Sequence, residues 1–192
     1  MDITRLDLPG LMLVTPEARD SELATEACLF DEREFLRKSG VDFRIVETRR
    51  VTTHRSDTIR GLRTQVPPAA QSMLVRIERG RVLKCVVDIR KGSPTYLSSF
   101  LIELVDEDDS QLFIPKGFLH GLRALEPECR LVYALDAHDS PEHKRFIRYD
   151  DVELDCDWGL TGHEMLHLAE EDQDAGAFQS MEHGFVYSAG RL

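Results

Sequence analysis

The sequence predicts an all-β fold, an antiparallel barrel or jelly roll with a few short helices. From residue 41 to about residue 136, apolar and polar residues alternate in short segments, as they do in half-buried strands. Turn residues such as Gly80 and Gly92-Ser93-Pro94 separate these segments at regular intervals. Many short strands with regular turns and almost no helical periodicity are typical of barrels and jelly rolls.

The same pattern places the individual elements. Asp31 can cap a helix over residues 31–39, with Glu34 three residues later and Gly40 at its end. We expect strands at 41–45, 74–78, 82–89, 96–105, 111–114 and 129–135. An N-terminal arm of about 40 residues precedes them, and an acidic, helical tail is expected over about 160–192. The whole chain, 1–192, is predicted to form one domain.

Composition limits the classes of function. A chain of 192 residues can bury one core without disulfides or a structural metal. The net charge of −11 opposes binding to nucleic acid or to anionic lipid, so we expect neither as a partner. The chain has no apolar run long enough for a spanning helix and no recognisable secretion signal, which favours a cytoplasmic location. The four cysteines form no CxxC pair and are expected to be buried free thiols.

A basic segment interrupts this acidic chain. Residues 44–63 hold six arginines against only Glu47 and Asp57, a set suited to a compact anion such as a diphosphate. Two of these arginines, Arg60 and Arg63, flank Gly61 in the stretch IRGLRTQVPP. They are either solvated surface charge or part of a binding site.

Two further residues could carry chemistry. His120 follows a predicted strand between Gly117 and Gly121, where the backbone can approach a ligand and an imidazole can bind it or transfer a proton. Tyr133 lies on the next strand, and a phenol in a closed site can donate a proton. A hydrogen-bonded core histidine and a packed tyrosine are the structural alternatives.

The segment HEMLH at 163–167 matches the zinc-peptidase pattern HExxH. That pattern needs a long active-site helix and a third ligand, whereas this segment follows a β-rich region, so a surface helix is the favoured interpretation. The chain also lacks an HxH pair, a Walker phosphate loop and a GxGxxG turn. We therefore expect neither a metal site nor a cofactor.

Several ordered motifs span most of the chain. They are RGLRTQ at 60–65, PP at 67–68, MLVR at 73–76, IPKGFLHGL at 114–122, VY at 132–133 and PE at 141–142. Together they resemble the dTDP-4-dehydrorhamnose 3,5-epimerase family, cupin-like jelly-roll enzymes of deoxysugar biosynthesis. The resemblance implies a cupin-like antiparallel barrel, a nucleotide-sugar substrate, no cofactor and a homodimer.

The resemblance also implies a reaction, epimerisation beside the keto group of a nucleotide-linked 4-keto-6-deoxyhexose. A base removes the acidic proton, a lysine stabilises the enolate, and a tyrosine returns a proton from the opposite face. By position, the tyrosine is Tyr133, the barrel histidine is His120, and the carboxylate that orients the base is Asp172. The implied substrate-binding residues are Arg60, Gln65, Arg49, His138 and Glu142.

Two departures from the family pattern fall at this centre. Arg63 occupies the position of the family's basic histidine, and Met73 that of its lysine. An arginine stays protonated and a thioether carries no charge, so neither can perform the family's role. We expect an ion pair between Arg63 and Asp172. The favoured function is an epimerase or isomerase with altered chemistry, in which His54 or His120 serves as base. The alternative is an inactive relative that binds a sugar nucleotide or a partner subunit.

Overall fold

The computed structural model describes residues 1–188, and strands make up most of its regular structure. The strands are β1 (Asp2–Arg5), β2 (Met12–Thr15), β3 (Ala18–Asp20), β4 (Thr25–Ala27), β5 (Glu47–Thr53), β6 (Thr58–Gln65), β7 (Met73–Arg79), β8 (Arg81–Asp88), β9 (Ser99–Val105), β10 (Gln111–Ile114), β11 (Phe118–Ala124), β12 (Cys129–Leu135), β13 (Lys144–Phe146) and β14 (His167–Leu168). The α-helices are α1 (Glu32–Ser39) and α2 (Glu170–Gln173). Short 3-10 turns occur at Pro141–His143 and Phe178–Ser180.

Two large sheets face each other. The first has the strand order β1-β2-β10-β7-β12-β5, and the second has the order β13-β6-β11-β8-β9. Pairing within both orders is antiparallel, while β14 adds to β6 in parallel. Residues from both sheets, including Val75, Leu131, Val82, Val86 and Leu122, meet in one buried core between them. This arrangement confirms the predicted all-β jelly-roll class.

The outer faces of the sheets are also covered. Phe35 of α1 packs with Phe43 and Phe113 against the first sheet. On the second sheet, Trp158 and Phe178 from the C-terminal segment cover a separate apolar cluster. Strands buried on both faces read as nearly continuous apolar runs, as the central strand β8 does.

Helix α1 forms as the capping residues predict. The side chain of Asp31 accepts a hydrogen bond from the Glu34 amide, and Gly40 ends the helix in the left-handed region at φ 79°. The predicted strand at 41–45 is wrong. Val41 and Phe43 do alternate into the core, but this segment has no ladder partner, so their alternation reflects packing without a strand.

The predicted helical tail is also wrong for most of its described length. Between residues 160 and 188, only α2 and the 3-10 turn at Phe178–Ser180 are helical, and β14 pairs with β6. Gly159 and Gly162 adopt positive φ, which favours turns over a continuing helix. The segment crosses the second sheet and buries Asp172 and Phe178 against it. The last four residues of the predicted tail lie outside the described part.

The cysteines are free thiols, as expected. Cys85 and Cys129 are buried, Cys156 is half-buried and Cys28 is exposed. The prediction that the thiols are buried is therefore correct for Cys85 and Cys129 and wrong for Cys28. Within residues 1–188, no helix has the length and apolar character needed to cross a membrane.

Candidate active site

The two sheets leave an open cavity at one end of the core. Its volume is about 220 Å³. Polar and charged residues from both sheets and from α2 line it, namely Arg49, Arg60, Arg63, Gln71, Lys84, His120, Tyr133, Asp139, Lys144 and Glu171. Met73 and three aliphatic side chains complete the wall.

Arg60 and Arg63 reach this cavity together because β6 is irregular between them. In a regular strand, residues three apart point to opposite faces. Here the register between β6 and β11 shifts, and Gly61 adopts a positive φ of 100°. A Cβ at Gly61 would lie only 2.7 Å from the backbone oxygen of His120. The glycine therefore allows the distortion that places both guanidinium groups on one side.

The short helix α2 supplies carboxylates to these arginines. Arg60 Nη2 lies 2.9 Å and Arg63 Nη1 lies 3.2 Å from Glu171 Oε1. The Glu171 carboxylate accepts a hydrogen bond from its own backbone amide, and this bond is the main reason that its pKa is lowered. The positive charges of Arg60 and Arg63 lower the pKa further.

Asp172 makes the expected contact with Arg63. Its Oδ2 accepts a hydrogen bond from Arg63 Nη2 at 2.5 Å and one from the Gly61 amide at 2.8 Å. Its side chain is only 2% exposed. A guanidinium held between two carboxylates keeps its proton, so Arg63 cannot remove one from a substrate.

Lys84 is a cavity residue that the sequence interpretation missed. It lies on β8 opposite Leu122, and its side chain is fully buried. The Nζ atom is 3.1 Å from His120 Nδ1 and 5.2 Å from the centre of the Tyr133 ring. Burial, and then the positive charge of Arg63, lower the pKa of Lys84 to about 7. The sequence signal for Lys84 is that it is the one lysine within an apolar strand. The family resemblance assigns its lysine position to Met73 instead.

His120 and Tyr133 lie next to Lys84, with their ring centres 6.3 Å apart. Burial and the charges of Lys84 and Arg63 hold the pKa of His120 well below its usual 6.5, so its imidazole is neutral at neutral pH. Burial raises the pKa of Tyr133 to about 12, against the opposing effect of Arg63 and Arg60. Tyr133 therefore keeps its proton and can donate it.

Four predicted substrate-binding residues lie at the rim or beyond it. Arg49 lines the cavity and pairs with Glu47 and Asp139. Gln65 is buried, and its amide group bonds to the backbone of residues 69, 138 and 140, which holds two loops together. The side chains of His138 and Glu142 are 80% and 70% exposed and do not line the cavity. Gln71, Asp139 and Lys144 also line the cavity, and the sequence patterns did not indicate them.

His54, one of the two candidate substitute bases, is outside the cavity. Its side chain is 77% exposed and its Nδ1 lies 3.0 Å from Glu128 Oε1. It sits in the connection after β5, at the opposite end of the strand from the loop that carries Asp139. Of the two candidates, only His120 is positioned to act on a bound molecule.

The HEMLH segment does not have the geometry of a zinc-peptidase site. Residues 163–166 are irregular, and His167 begins β14. Glu164 closes a turn by accepting hydrogen bonds from the amides of Thr161 and Gly162, and the bond from Thr161 is the main cause of its pKa of about 2. Among residues 1–188, no three His, Cys, Asp or Glu side chains are placed to hold a metal ion.

Comparison with known proteins agrees with this architecture. The family model described as dTDP-4-dehydrorhamnose 3,5-epimerase matches residues 5–180. The chain belongs to the dTDP-4-dehydrorhamnose 3,5-epimerase family. The predicted family, its cupin-like jelly-roll fold and an isomerase type of enzyme are thereby confirmed.

Curated members of this epimerase family show the extent of the similarity. The dTDP-4-dehydrorhamnose 3,5-epimerase of Methanothermobacter thermautotrophicus is 32% identical over 170 residues, which is 88% of this chain and 90% of the relative. The Sinorhizobium fredii epimerase of the same name is 37% identical over 130 residues, 68% of this chain and 66% of the relative.

Solved structures of the epimerase family share the fold. The dTDP-4-dehydrorhamnose 3,5-epimerase of Elizabethkingia anophelis superposes with a TM-score of 0.88 at 27% identity, covering 93% of this chain and 97% of that one. A dTDP-6-deoxy-D-glucose-3,5-epimerase of Legionella pneumophila, solved in complex with dTDP-4-keto-L-rhamnose, gives a TM-score of 0.89 at 27% identity. It covers 98% of this chain and 99% of that one.

Proposed function

We propose that this protein epimerises a dTDP-linked 4-keto-6-deoxyhexose in deoxysugar biosynthesis, using a rearranged set of proton-transfer groups. The observation that carries the proposal is a single cavity that joins Tyr133, His120 and Arg60 while Arg63 is held in an ion pair. The complex of the Legionella relative with dTDP-4-keto-L-rhamnose supports a sugar nucleotide as the substrate class.

The chemistry requires an acid, a base and a means of binding the diphosphate. A proton beside a ketone is acidic because the resulting charge spreads onto the carbonyl oxygen. Tyr133, half-buried and protonated, is the proposed proton donor. Arg49, Arg60 and Lys144 are cations on the cavity wall, and guanidinium groups match phosphate oxygens well.

Deuterium exchange tests this function directly. The protein is incubated with dTDP-4-keto-6-deoxy-D-glucose in deuterated water, and incorporation at C3 and C5 is followed by NMR. We expect deuterium at one or both carbons, with inversion lost in Tyr133→Phe because that variant has no phenolic proton. Absence of exchange with several keto sugar nucleotides that do bind would refute the proposed activity.

The second candidate is a relative that binds a sugar nucleotide without catalysing the reaction. Arg63 and Met73 stand where the family has the histidine and the lysine on which its reaction depends. Such a protein would show a rise in unfolding temperature with sugar nucleotides, since a ligand that binds only the folded state stabilises it, but it would show no exchange. If Arg63→His combined with Met73→Lys introduced epimerisation into a protein that otherwise lacks it, loss of catalysis would be the better account. The cytoplasmic location stays a prediction.

A further inference from the structure

We infer that Lys84 is the catalytic base, which accepts the proton from the carbon beside the keto group in place of the residue at position 63. This inference rests on the proposed function and adds the identity of its base. It concerns a lysine on the second sheet, whereas the family's lysine position, Met73, lies on the first.

The first argument is the surroundings of Lys84 in the barrel. Its inward-facing neighbours along β8, Val82 and Val86, belong to the apolar core. The side chain is completely buried, and within residues 1–188 no carboxylate forms an ion pair with it. A buried ammonium group without a counter-ion is costly, so this position favours the neutral amine.

The second argument concerns the groups that face Lys84 from each neighbouring element. Arg63 of β6 is positive, His120 of β11 is a neutral hydrogen-bond partner, and Tyr133 of β12 presents its ring. Met73 of β7 contributes only a thioether to the same cavity. The positive charge of Arg63 opposes a proton on Lys84. The Cys85 thiol, the Tyr133 ring and the acceptor nitrogen of His120 favour one, but they offset only part of the cost of burial, and the bond to His120 fixes the position of Nζ.

The third argument is elimination within the cavity. Arg63 is tied to Glu171 and Asp172, and Tyr133 keeps its proton. Asp139 and Glu171 are occupied by cations at the rim. His120 is the other neutral nitrogen base, but its Nδ1 is bonded to Lys84 and its pKa lies well below neutral, which makes it the weaker base of the two.

The proposed step conserves atoms and charge. The neutral amine of Lys84 takes the proton from the carbon, the C–H electron pair forms the enolate, and Lys84 becomes an ammonium ion. That ammonium charge stabilises the enolate beside it. Tyr133 then protonates the carbon and becomes a phenolate, and one proton returns from the ammonium to the phenolate through solvent before the next turnover.

The experiment compares wild type with Lys84→Met, Lys84→Arg and the surface control Lys116→Met, which removes a half-exposed lysine away from the cavity. We expect substrate deuterium exchange to fall at least about 100-fold in both Lys84 variants, since a positioned base contributes roughly that much, and to be unchanged in the control. Binding of the sugar nucleotide, measured by the shift in unfolding temperature, should be retained. The wild-type kcat/KM, which reports groups of the free enzyme, should rise with pH through about 7.

A second measurement does not depend on turnover. NMR of protein labelled at the lysine Cε carbons should show one signal that titrates near neutral pH and is absent from Lys84→Met. A titration near the ordinary lysine value, unchanged exchange in Lys84→Met, or a sugar adduct on Lys84 after borohydride reduction would each overturn the inference. If wild type binds the sugar nucleotide but exchanges nothing, the proposed function fails at that earlier step.

Discussion

At the scale of single residues, Lys84 shows how a functional position can oppose stability. Transfer of its side chain into the apolar barrel lowers its pKa from 10.5 to about 7. The unfolded chain therefore binds more protons than the native protein between about pH 7 and pH 10.5. Stability must rise with pH across this window, and the cost at pH 7 is on the order of a few kcal/mol.

Lys84→Met should consequently stabilise the protein at pH 7. We expect the free energy of unfolding to increase by roughly 2–4 kcal/mol, and the gain to shrink toward pH 10 because free lysine also loses its proton there. Urea denaturation at pH 7, 8.5 and 10 measures the difference, with Lys116→Met as the exposed-lysine control. A gain that does not change with pH would contradict the explanation.

At the scale of elements, the distortion of β6 and the attachment of α2 determine the shape of the cavity mouth. Gly61 permits the register shift between β6 and β11, and its backbone amide donates a hydrogen bond to Asp172. The buried carboxylate thus joins α2 to the irregular part of β6. The carboxylate of Glu171 also contacts both arginines but is 42% exposed. The buried Asp172 therefore contributes more to the stability of this region than the exposed Glu171 does.

Gly61→Ala should be much more damaging than Gly40→Ala. Both glycines have positive φ, but a Cβ at Gly40 meets nothing within 4 Å, so its cost is only about 1 kcal/mol of backbone strain. At Gly61 the added carbon also clashes with the backbone of β11, and we expect a loss of about 3 kcal/mol or more. Urea denaturation of the two variants compares them. Equal losses would mean that close packing at Gly61 is unimportant.

Asp172→Asn should destabilise the protein by about 3 kcal/mol, because it leaves the partly buried Arg63 without its closest counter-ion. Glu171→Gln should cost less than about 1 kcal/mol, since an exposed ion pair is weak in water. Both changes preserve side-chain shape, so the comparison isolates charge. Thermal unfolding of the two proteins at one concentration and pH provides the measurement, and a larger loss in Glu171→Gln would reverse our assignment.

At the scale of the whole molecule, the two sheets enclose one apolar core and the cavity, and α1 and the C-terminal segment cover the outer faces of the sheets with two further apolar clusters. The N-terminal strands extend the first sheet, and the C-terminal segment closes the outer face of the second. Residues 1–40 are therefore integrated into the sheet and its outer cluster through β1, β2 and α1. The homodimer implied by the family resemblance would add a second chain to this arrangement.

Sedimentation equilibrium tests that homodimer. We expect a mass of twice the 21.9 kDa chain at micromolar concentration, and an unfolding temperature that rises with protein concentration, because association stabilises the folded state by mass action. A single species of chain mass together with a concentration-independent transition would show that the protein is monomeric.

The fold could be anticipated because its signals are local. The cap at Asp31, the glycine at position 40 and the period of two in β7 and β12 each depend on neighbours in sequence. Local patterns mislead where a segment packs without pairing, as at Val41 and Phe43, and where an acidic segment crosses a sheet without forming a long helix, as after residue 160. Alternation indicates burial on one side, but a strand also needs a partner that the local sequence does not reveal.

The sequence alone determined the all-β class, the family resemblance, the two departures at Arg63 and Met73 and the ion-pair partner Asp172. Only the tertiary structure decided which charged groups share the cavity, because those groups come from distant segments and different sheets. It brought Arg60 and Arg63 to one side through the distortion at Gly61 and left His138 and Glu142 at the surface. It also placed Lys84 beside His120 and Tyr133, since burial and distance between strands are set only when the two sheets close.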